Sequence, residues 1–162
     1  MPKLYLLLGG NLGDRTLYLQ QARESIATQV GSITQTSSVY ETVAWGKTDQ
    51  PSFLNQVVEV ETILSQEDVL QTINQIEHDL GRIRVEHWGS RVIDIDILFY
   101  DELVQQTQRL TIPHPQLHLR RFTLLPLHEI APGMIHPVFK KSIAQLLATC
   151  PDVLEARVVN QA

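Results

Sequence analysis

The stretch Arg91-Val92-Ile93-Asp94-Ile95-Asp96-Ile97-Leu98 predicts a β-strand with two faces of opposite character. Successive side chains of a strand point to opposite faces, so Asp94 and Asp96 share one face while the isoleucines and Phe99 share the other. Residues i and i+2 of a strand lie roughly 6–7 Å apart at the backbone. Carboxylates at that spacing can converge on Mg²⁺, which typically binds one or two carboxylates plus substrate phosphates. The stretch therefore indicates either a metal site or a solvated acidic edge.

A cluster of cations just before this strand favours the metal site. Arg82, Arg84 and Arg91 flank the segment His87–Gly89. The planar guanidinium of arginine suits polyphosphate oxygens, and a flexible loop can bring it over a reacting group. Arginines that follow a helix also complement the helix dipole, which is the alternative explanation for Arg82 and Arg84. Cations beside paired acids indicate a site for a metal–polyphosphate complex.

The composition is that of one ordinary globular domain spanning residues 1–162. Of its 162 residues, 43% are hydrophobic and 19% are charged, which is enough for a substantial core. The net charge of −5 argues against a nucleic-acid-binding protein. The single cysteine, Cys150, suits a reducing compartment, and the apolar run Leu4–Leu8 is too short for a membrane segment. We expect a cytoplasmic protein that binds no membrane.

The order of predicted elements indicates an α+β fold. Apolar runs and helical periodicity predict strand, helix, strand, strand, helix and strand. In chain order these elements cover 4–8, 14–30, 32–40, 53–64, 66–80 and 91–98. This is the β-α-β-β-α-β order of a ferredoxin-like core, with both helices on one face of the sheet. A hairpin over 101–112, helices over 122–130 and 142–149, and a last strand or loose tail over 153–159 would add a third layer, for an α/β/α appearance.

Two further motifs supply polar groups but do not identify a ligand or a reaction. The glycine-rich turn Gly9–Gly13 matches neither a P-loop nor the dinucleotide fingerprint, so a tight turn, which can line a pocket, is the favoured interpretation. His114 lies in the rigid turn Thr111–Pro115, soon after the acidic strand. The other histidines have no metal-ligand spacing and are interpreted as surface or core residues.

Together, these motifs resemble a known enzyme family. They are G-G-N-L-G-D at 9–14, Q-P-S-F-L-N at 50–55, I-E-H-D-L-G-R-I-R at 76–84, W-G-S-R-V-I-D-I-D-I at 88–97, L-T-I-P-H-P at 110–115, R-F at 121–122 and L-P-L-H-E-I-A-P at 125–132. The chain resembles the 6-hydroxymethyl-7,8-dihydropterin pyrophosphokinases of the folate pathway from about Leu4 to about Pro137. The resemblance implies transfer of the β,γ-diphosphate of ATP to the hydroxymethyl oxygen of the dihydropterin, with release of AMP.

The resemblance also implies roles for individual residues. Asp94 and Asp96 would hold two Mg²⁺ ions, and Arg82 and Arg91 would stabilise charge on the transferred group and on AMP. The nucleotide-binding positions are Asn74, Glu77, Arg84, Trp88, Ile97, Leu110, Thr111, His114 and Arg120. The pterin-binding positions are Thr42, Ala44, Trp45, Gly46, Phe53, Asn55 and Phe122. The two phenylalanines would sandwich the flat ring while the amide reads its polar edge. ATP and the dihydropterin are the expected partners of a monomer that binds no nucleic acid.

Two other functions are compatible with parts of the sequence. Another two-metal nucleotidyl or phosphoryl transferase on the same fold could use the paired acids, and a nucleotidyl transferase would attach AMP to its substrate. A non-enzymatic ferredoxin-like module could bind RNA or a small effector. That module would have no use for Asp94 beside Asp96, and the exposed aromatic pairs of RNA-binding sheets are missing from the sequence.

Overall fold

The computed structural model describes residues 1–42, 52–81 and 92–159. The strands are β1 (Lys3–Gly10), β2 (Ser32–Thr36), β3 (Tyr40–Thr42), β4 (Phe53–Glu61), β5 (Asp94–Tyr100), β6 (Gln105–Gln106), β7 (Thr111–Ile112) and β8 (Ala156–Val158). The helices are α1 (Arg15–Gln29), α2 (Gln66–Gly81), α3 (Arg121–Ile130) and α4 (Ile143–Ala148), and a 3₁₀ turn covers Leu117–Leu119.

The main sheet has the strand order β5-β1-β4-β3-β8, and β2 also pairs with β4. All of these pairings are antiparallel. If β2 and β3 are counted as one interrupted strand, this is the order of a split β-α-β unit. The structure therefore confirms the α+β, ferredoxin-like core.

The prediction of one continuous strand over 32–40 is wrong, because Ser37 interrupts it. The Ser37 hydroxyl takes the place of a backbone acceptor and receives the Val57 N–H at 3.0 Å. The displaced Ser37 carbonyl accepts instead from the Gln56 side-chain amide at 2.7 Å. β2 then pairs with β4 at Val58–Glu61, and β3 pairs with it at Phe53–Asn55. The break allows β3 to follow a new register toward the start of β4.

A bulge in β5 overturns the prediction that Phe99 shares a face with the isoleucines. Ile97 pairs with Leu6, but Phe99 pairs with the preceding residue, Tyr5, so Leu98 is an extra residue in the ladder. Beyond a bulge, the alternation of faces is shifted by one residue. Phe99 therefore lies on the face opposite Ile97 and contacts the Tyr5 ring edge-on, with centroids 6.3 Å apart.

Helices cover both faces of the sheet, as predicted for the three-layer arrangement. One core packs α1 and α2 against the even-numbered leucines of β1, and it includes Ile26 and Ile73. The other packs α3 and α4 against Leu7, Val57 and Phe99. Burial of apolar surface on both faces stabilises the sheet between its helices.

The predicted helix starts and the C-terminal elements are also found. Asp14 caps α1 by accepting from the Leu17 N–H at 3.1 Å, and Ser65 accepts from the Asp68 N–H at 3.2 Å. The hairpin is β6–β7, and the last segment is a strand, since β8 pairs with β3. Within the parts of the chain that the structure describes, no helix is long and apolar enough to cross a membrane.

Candidate functional site

The candidate site lies on the α3 face of the sheet, where β1 ends and where β4 and β5 begin. Gly9 of β1 pairs with Asn55 on one side and with Asp94 on the other. Phe53 and Asn55 share a face of β4 because they are two residues apart, and the same holds for Asp94 and Asp96 on β5. Period-two alternation on neighbouring strands thus brings an aromatic ring, an amide and two carboxylates to one surface.

A largely apolar cavity of about 220 Å³ opens on this surface. Its lining residues are Leu7, Gly9, Thr42, Phe53, Asn55, Asp94, Asp96, Arg120, Phe122 and Leu154. Asn55 is 5% exposed, so its amide is held in a dry environment beside the two phenylalanines. Aromatic side chains with a few fixed polar groups suit a flat heteroaromatic ligand.

A second, more polar cavity of about 370 Å³ lies between α2, β5 and the turn that contains His114. It is lined by Leu70, Ile73, Asn74, Glu77, Asp94, Ile95, Asp96, Ile97, Gln108, Arg109, Leu110, Thr111, His114 and Pro115. Asp94 and Asp96 also line the first cavity, so the two cavities meet at these carboxylates. Two ligands, one in each cavity, would therefore approach each other beside the acidic pair.

Glu77 adds a third carboxyl group behind this pair. Burial, together with the negative charges of Asp94 and Asp96, raises the pKa of Glu77 to about 7, although the hydrogen bond from the Ile95 N–H opposes the rise. That N–H donates to the Glu77 carboxylate at 2.6 Å. The bond fixes α2 against the strand that carries the acidic pair.

The turn after β7 presents His114 to the second cavity in one tautomer. Its Nδ1 accepts from the Gln116 N–H at 3.1 Å, so in the neutral ring the proton is on Nε2. Burial lowers the pKa of His114 to about 4, and the nearby Arg120 charge contributes to that shift. The His114 N–H also donates to the carbonyl of Leu98 at 3.0 Å, which ties this turn to the bulge in β5.

The donor chemistry of the acidic pair fits a hard divalent cation. Among residues 1–42, 52–81 and 92–159, no cluster of three or more His, Cys, Asp or Glu side chains is arranged to hold a metal ion. Asp94 and Asp96 are half-buried and share a face of β5. Two carboxylates at the border of two cavities suit Mg²⁺, because phosphate oxygens and water usually complete its coordination shell.

Most of the predicted site residues that the structure describes line one of the two cavities. Thr42, Phe53, Asn55 and Phe122 line the first cavity. Asn74, Glu77, Ile97, Leu110, Thr111 and His114 line the second. Arg120, predicted to bind the nucleotide, lines the first cavity instead, where its guanidinium lies 5.7 Å from the Phe122 ring centroid. Ala44, Trp45, Gly46, Arg82, Arg84, Trp88 and Arg91 lie outside the described residues.

Sequence reasoning missed several lining residues. Gln108 and Arg109 of the β6–β7 loop border the second cavity, and Leu7 and Leu154 border the first. Leu7 was identifiable only as part of an apolar strand. Leu154 carries no local signal, because contacts between distant parts of the chain, such as the pairing of β8 with β3, bring the C-terminal segment beside the sheet.

Comparison with known proteins gives a consistent result. A family model described as 7,8-dihydro-6-hydroxymethylpterin-pyrophosphokinase matches residues 5–132. The 2-amino-4-hydroxy-6-hydroxymethyldihydropteridine pyrophosphokinase of Aquifex aeolicus is 41% identical over 145 residues, which is 90% of each chain. The enzyme of that name from Bacillus subtilis is 42% identical over 127 residues, covering 78% of this chain and 76% of that protein.

The fold also matches solved structures. A crystal structure of Plasmodium falciparum HPPK-DHPS superimposes with a TM-score of 0.75 at 19% identity and covers 91% of this chain. This chain spans 43% of the length of that protein. At this identity the likeness concerns the fold alone.

Proposed function

Because the chain belongs to the family of 7,8-dihydro-6-hydroxymethylpterin-pyrophosphokinases, we propose that it transfers diphosphate from ATP to the hydroxymethyl oxygen of 6-hydroxymethyl-7,8-dihydropterin, releasing AMP. This reaction belongs to folate synthesis. The observation that carries the proposal is that an aromatic cavity and a polar cavity meet at Asp94 and Asp96. A transferase with two substrates requires such a meeting point.

The first cavity suits the pterin. Phe53 and Phe122 offer apolar ring faces, and the buried amide of Asn55 offers a donor and an acceptor to the ring edge. A buried polar group left unpaired is costly, so a ring without matching groups would bind poorly. Thr42 supplies a further polar side chain at the wall formed by β3.

The second cavity suits ATP. The resemblance assigns recognition of the adenine edge to the backbone of Ile97 and Leu110, which both line this cavity. The Leu110 N–H and carbonyl already bond to Thr107, so adenine would have to share or replace those bonds. Asn74 lines the same cavity from α2. His114 offers its Nε2–H as a neutral donor to a ribose or phosphate oxygen, since its Nδ1 is already engaged. Because the pKa of His114 is about 4, this donor keeps one protonation state throughout the neutral pH range.

Asp94 and Asp96 are the residues that would hold Mg²⁺, for which we propose two ions. Magnesium bound there would reduce the negative charge of the triphosphate facing the attacking oxygen. The residues of the chain contribute by placing the alcohol and the phosphate chain against each other in fixed orientations. We also propose that Arg82 and Arg91 stabilise charge on the transferred diphosphate and on AMP, as the resemblance implies.

In the proposed reaction, one bond to the β-phosphorus forms and one bond to it breaks. The hydroxymethyl oxygen forms a bond to the β-phosphorus, the bond from that phosphorus to the α-phosphate oxygen breaks, and the alcohol proton leaves to solvent. No covalent intermediate with the protein is needed. A nucleotidyl transferase using the same acidic pair would instead attach AMP to the pterin, so the identity of the products separates the two reactions.

Product analysis tests the proposal directly. Purified protein is incubated with ATP and the dihydropterin, with and without Mg²⁺, and nucleotides are separated by ion-exchange chromatography. AMP should form in equal amounts to the pterin diphosphate, and only when Mg²⁺ and pterin are both present. Formation of ADP, or of free diphosphate together with an AMP-pterin adduct, would contradict the proposal.

We further propose that the protein works as a cytoplasmic monomer on small molecules and binds no nucleic acid. The net charge of −5 supports the last point, since a polyanion would be repelled overall. Light scattering coupled to size-exclusion chromatography should give a mass near 18.4 kDa. A dimeric mass, or retention on a nucleic-acid column at physiological salt, would contradict these two statements.

A further inference from the structure

The C-terminal segment contributes to the first cavity although the family model ends before it. That model matches residues 5–132, whereas Leu154 lines the cavity beside Phe122 and Arg120. Val153, the neighbour of Leu154, is 89% exposed, so the two side chains differ sharply in environment. The C-terminal segment thus directs the Leu154 side chain toward the first cavity and leaves the Val153 side chain exposed to solvent.

Two sets of contacts hold this segment against the rest of the site. The Asp152 carboxylate accepts from the Leu154 N–H at 2.9 Å with one oxygen and from the Arg121 N–H at 3.1 Å with the other. Arg121 begins α3 and lies between the cavity residues Arg120 and Phe122. On the far side, β8 pairs with β3 as far as Thr42, another cavity residue, and the Val159 N–H donates to the Val39 carbonyl at 2.8 Å.

Leu154 also borders a separate cavity. A space of about 600 Å³ lies between the 3₁₀ turn and the C-terminal segment, and it shares Arg120, Phe122 and Leu154 with the first cavity. Its remaining lining residues are Gln116, Leu119, Pro151 and Asp152. The two spaces therefore adjoin at Arg120, Phe122 and Leu154.

We infer that Leu154 is a specificity-determining residue of the pterin site, and that Asp152 is a positioning residue that holds Leu154 and the start of α3 in place. The apolar Leu154 side chain forms part of the wall of the first cavity and limits the size of the ring substituents that fit there. Shortening it joins the first cavity to the neighbouring one. This inference rests on the proposed function of the first cavity as the pterin site.

The test compares Leu154→Ala with the matched control Val153→Ala. Fluorescence titration measures the dissociation constants of oxidised 6-hydroxymethylpterin and of a pterin bearing an added propyl group, both with Mg²⁺ and a non-hydrolysable ATP analogue. Leu154 is half-buried, so its truncation to alanine should remove the equivalent of one or two buried methylene groups and weaken 6-hydroxymethylpterin binding about 4- to 15-fold. The propyl-pterin should bind more tightly than to the unsubstituted protein, while Val153→Ala should change neither constant.

A second variant keeps the inference testable if Leu154→Ala folds poorly. Leu154→Met conserves volume but is flexible, so it should admit the propyl-pterin partly and leave 6-hydroxymethylpterin binding within about threefold. An unchanged ratio of the two dissociation constants in every folded Leu154 variant would overturn the inference.

The positioning role of Asp152 has its own readout. Asp152→Ala removes both acceptors, whereas Asp152→Asn retains one side-chain oxygen as an acceptor. Asp152→Ala should raise the KM for the dihydropterin about tenfold and leave kcat and the nucleotide dissociation constant within twofold, and Asp152→Asn should restore part of the difference. Equal loss of pterin and nucleotide binding would show a general structural role and overturn this part.

Failure of the inference is distinguishable from failure of the proposed function. If the unsubstituted protein neither binds 6-hydroxymethylpterin nor forms AMP, the proposed function fails and this inference falls with it. If that protein does both and the Leu154 variants keep its selectivity, the inference alone is overturned.

Discussion

Replacing Gly9 with alanine should impair pterin binding by displacing Asn55. A Cβ atom on Gly9 would lie 2.4 Å from Oδ1 of Asn55 and 3.3 Å from the carbonyl oxygen of Leu54. The first distance is far below ordinary van der Waals contact, whereas the second requires only a small adjustment. Because Gly9 and Asn55 are paired in adjacent strands, the amide rather than the backbone is the group that can move.

The size of the effect follows from that overlap. The Asn55 amide must retreat by about 1 Å to reach normal contact, and a hydrogen bond lengthened by that amount is lost. If the amide makes two hydrogen bonds with the pterin edge, their net loss is about 1–3 kcal/mol. This corresponds to an increase of about 5- to 150-fold in the pterin dissociation constant.

The assay measures the two substrates separately. Fluorescence titration with 6-hydroxymethylpterin, in the presence of Mg²⁺ and a non-hydrolysable ATP analogue, gives the pterin constant. Calorimetry with the nucleotide alone gives the nucleotide constant, which should change less than twofold because the three nearest atoms to the added methyl group belong to Leu54 and Asn55. Thermal denaturation monitored by circular dichroism confirms that the variant is folded.

Gly133→Ala is the matched control, since a Cβ atom there meets nothing within 4 Å. It should leave both dissociation constants unchanged. The reasoning would be refuted if folded Gly9→Ala bound 6-hydroxymethylpterin as tightly as the unsubstituted protein. It would also be refuted if nucleotide binding fell as much as pterin binding, because the methyl group would then be acting through the backbone.

The remaining predictions concern the acidic pair and two buried groups. Asp96→Ala should reduce AMP formation at least 100-fold while the melting temperature stays within a few degrees; retained turnover would contradict the metal role. Tyr5→Phe removes one donor from the buried Glu59 carboxylate and should lower the free energy of unfolding by about 1–3 kcal/mol without changing kcat, as measured in urea. Burial lowers the pKa of His136 to about 4, and its Nδ1 accepts from two backbone N–H groups. Between pH 6.5 and pH 4 the unfolded chain binds a proton at His136 that the folded protein does not bind. The free energy of unfolding should therefore fall by about 3 kcal/mol as the pH decreases through that range, and by less in His136→Asn.

The local part of the site could be predicted because it depends on strand geometry. Side chains alternate along any extended segment, so Asp94 with Asp96, and Phe53 with Asn55, had to share a face once each segment was a strand. Helix starts were similarly local, as the caps at Asp14 and Ser65 show. The family resemblance added predicted roles, and most of the residues it named that the structure describes line one of the two cavities.

Departures from the predicted pattern arose where the backbone bonds to something distant in the chain. The bulge at Leu98 moves Phe99 to the face of the sheet opposite Ile97. The carbonyl of Leu98 accepts a hydrogen bond from the N–H of His114. The interruption at Ser37 depends on a hydroxyl that bonds to Val57, twenty residues away. Neither feature can be read from the sequence pattern, because both are alternatives in hydrogen bonding that only the assembled sheet selects.

The sequence by itself determined the order of the main elements, the shared face of Phe53 and Asn55, and that of Asp94 and Asp96, because these follow from residue type and backbone geometry. Only the tertiary structure decided that Gly9 leaves room for Asn55, and that Arg120 and Leu154 line the aromatic cavity. These relations join segments far apart in the chain. They depend on cross-strand register and on burial, which are properties of the packed sheet and not of any single segment.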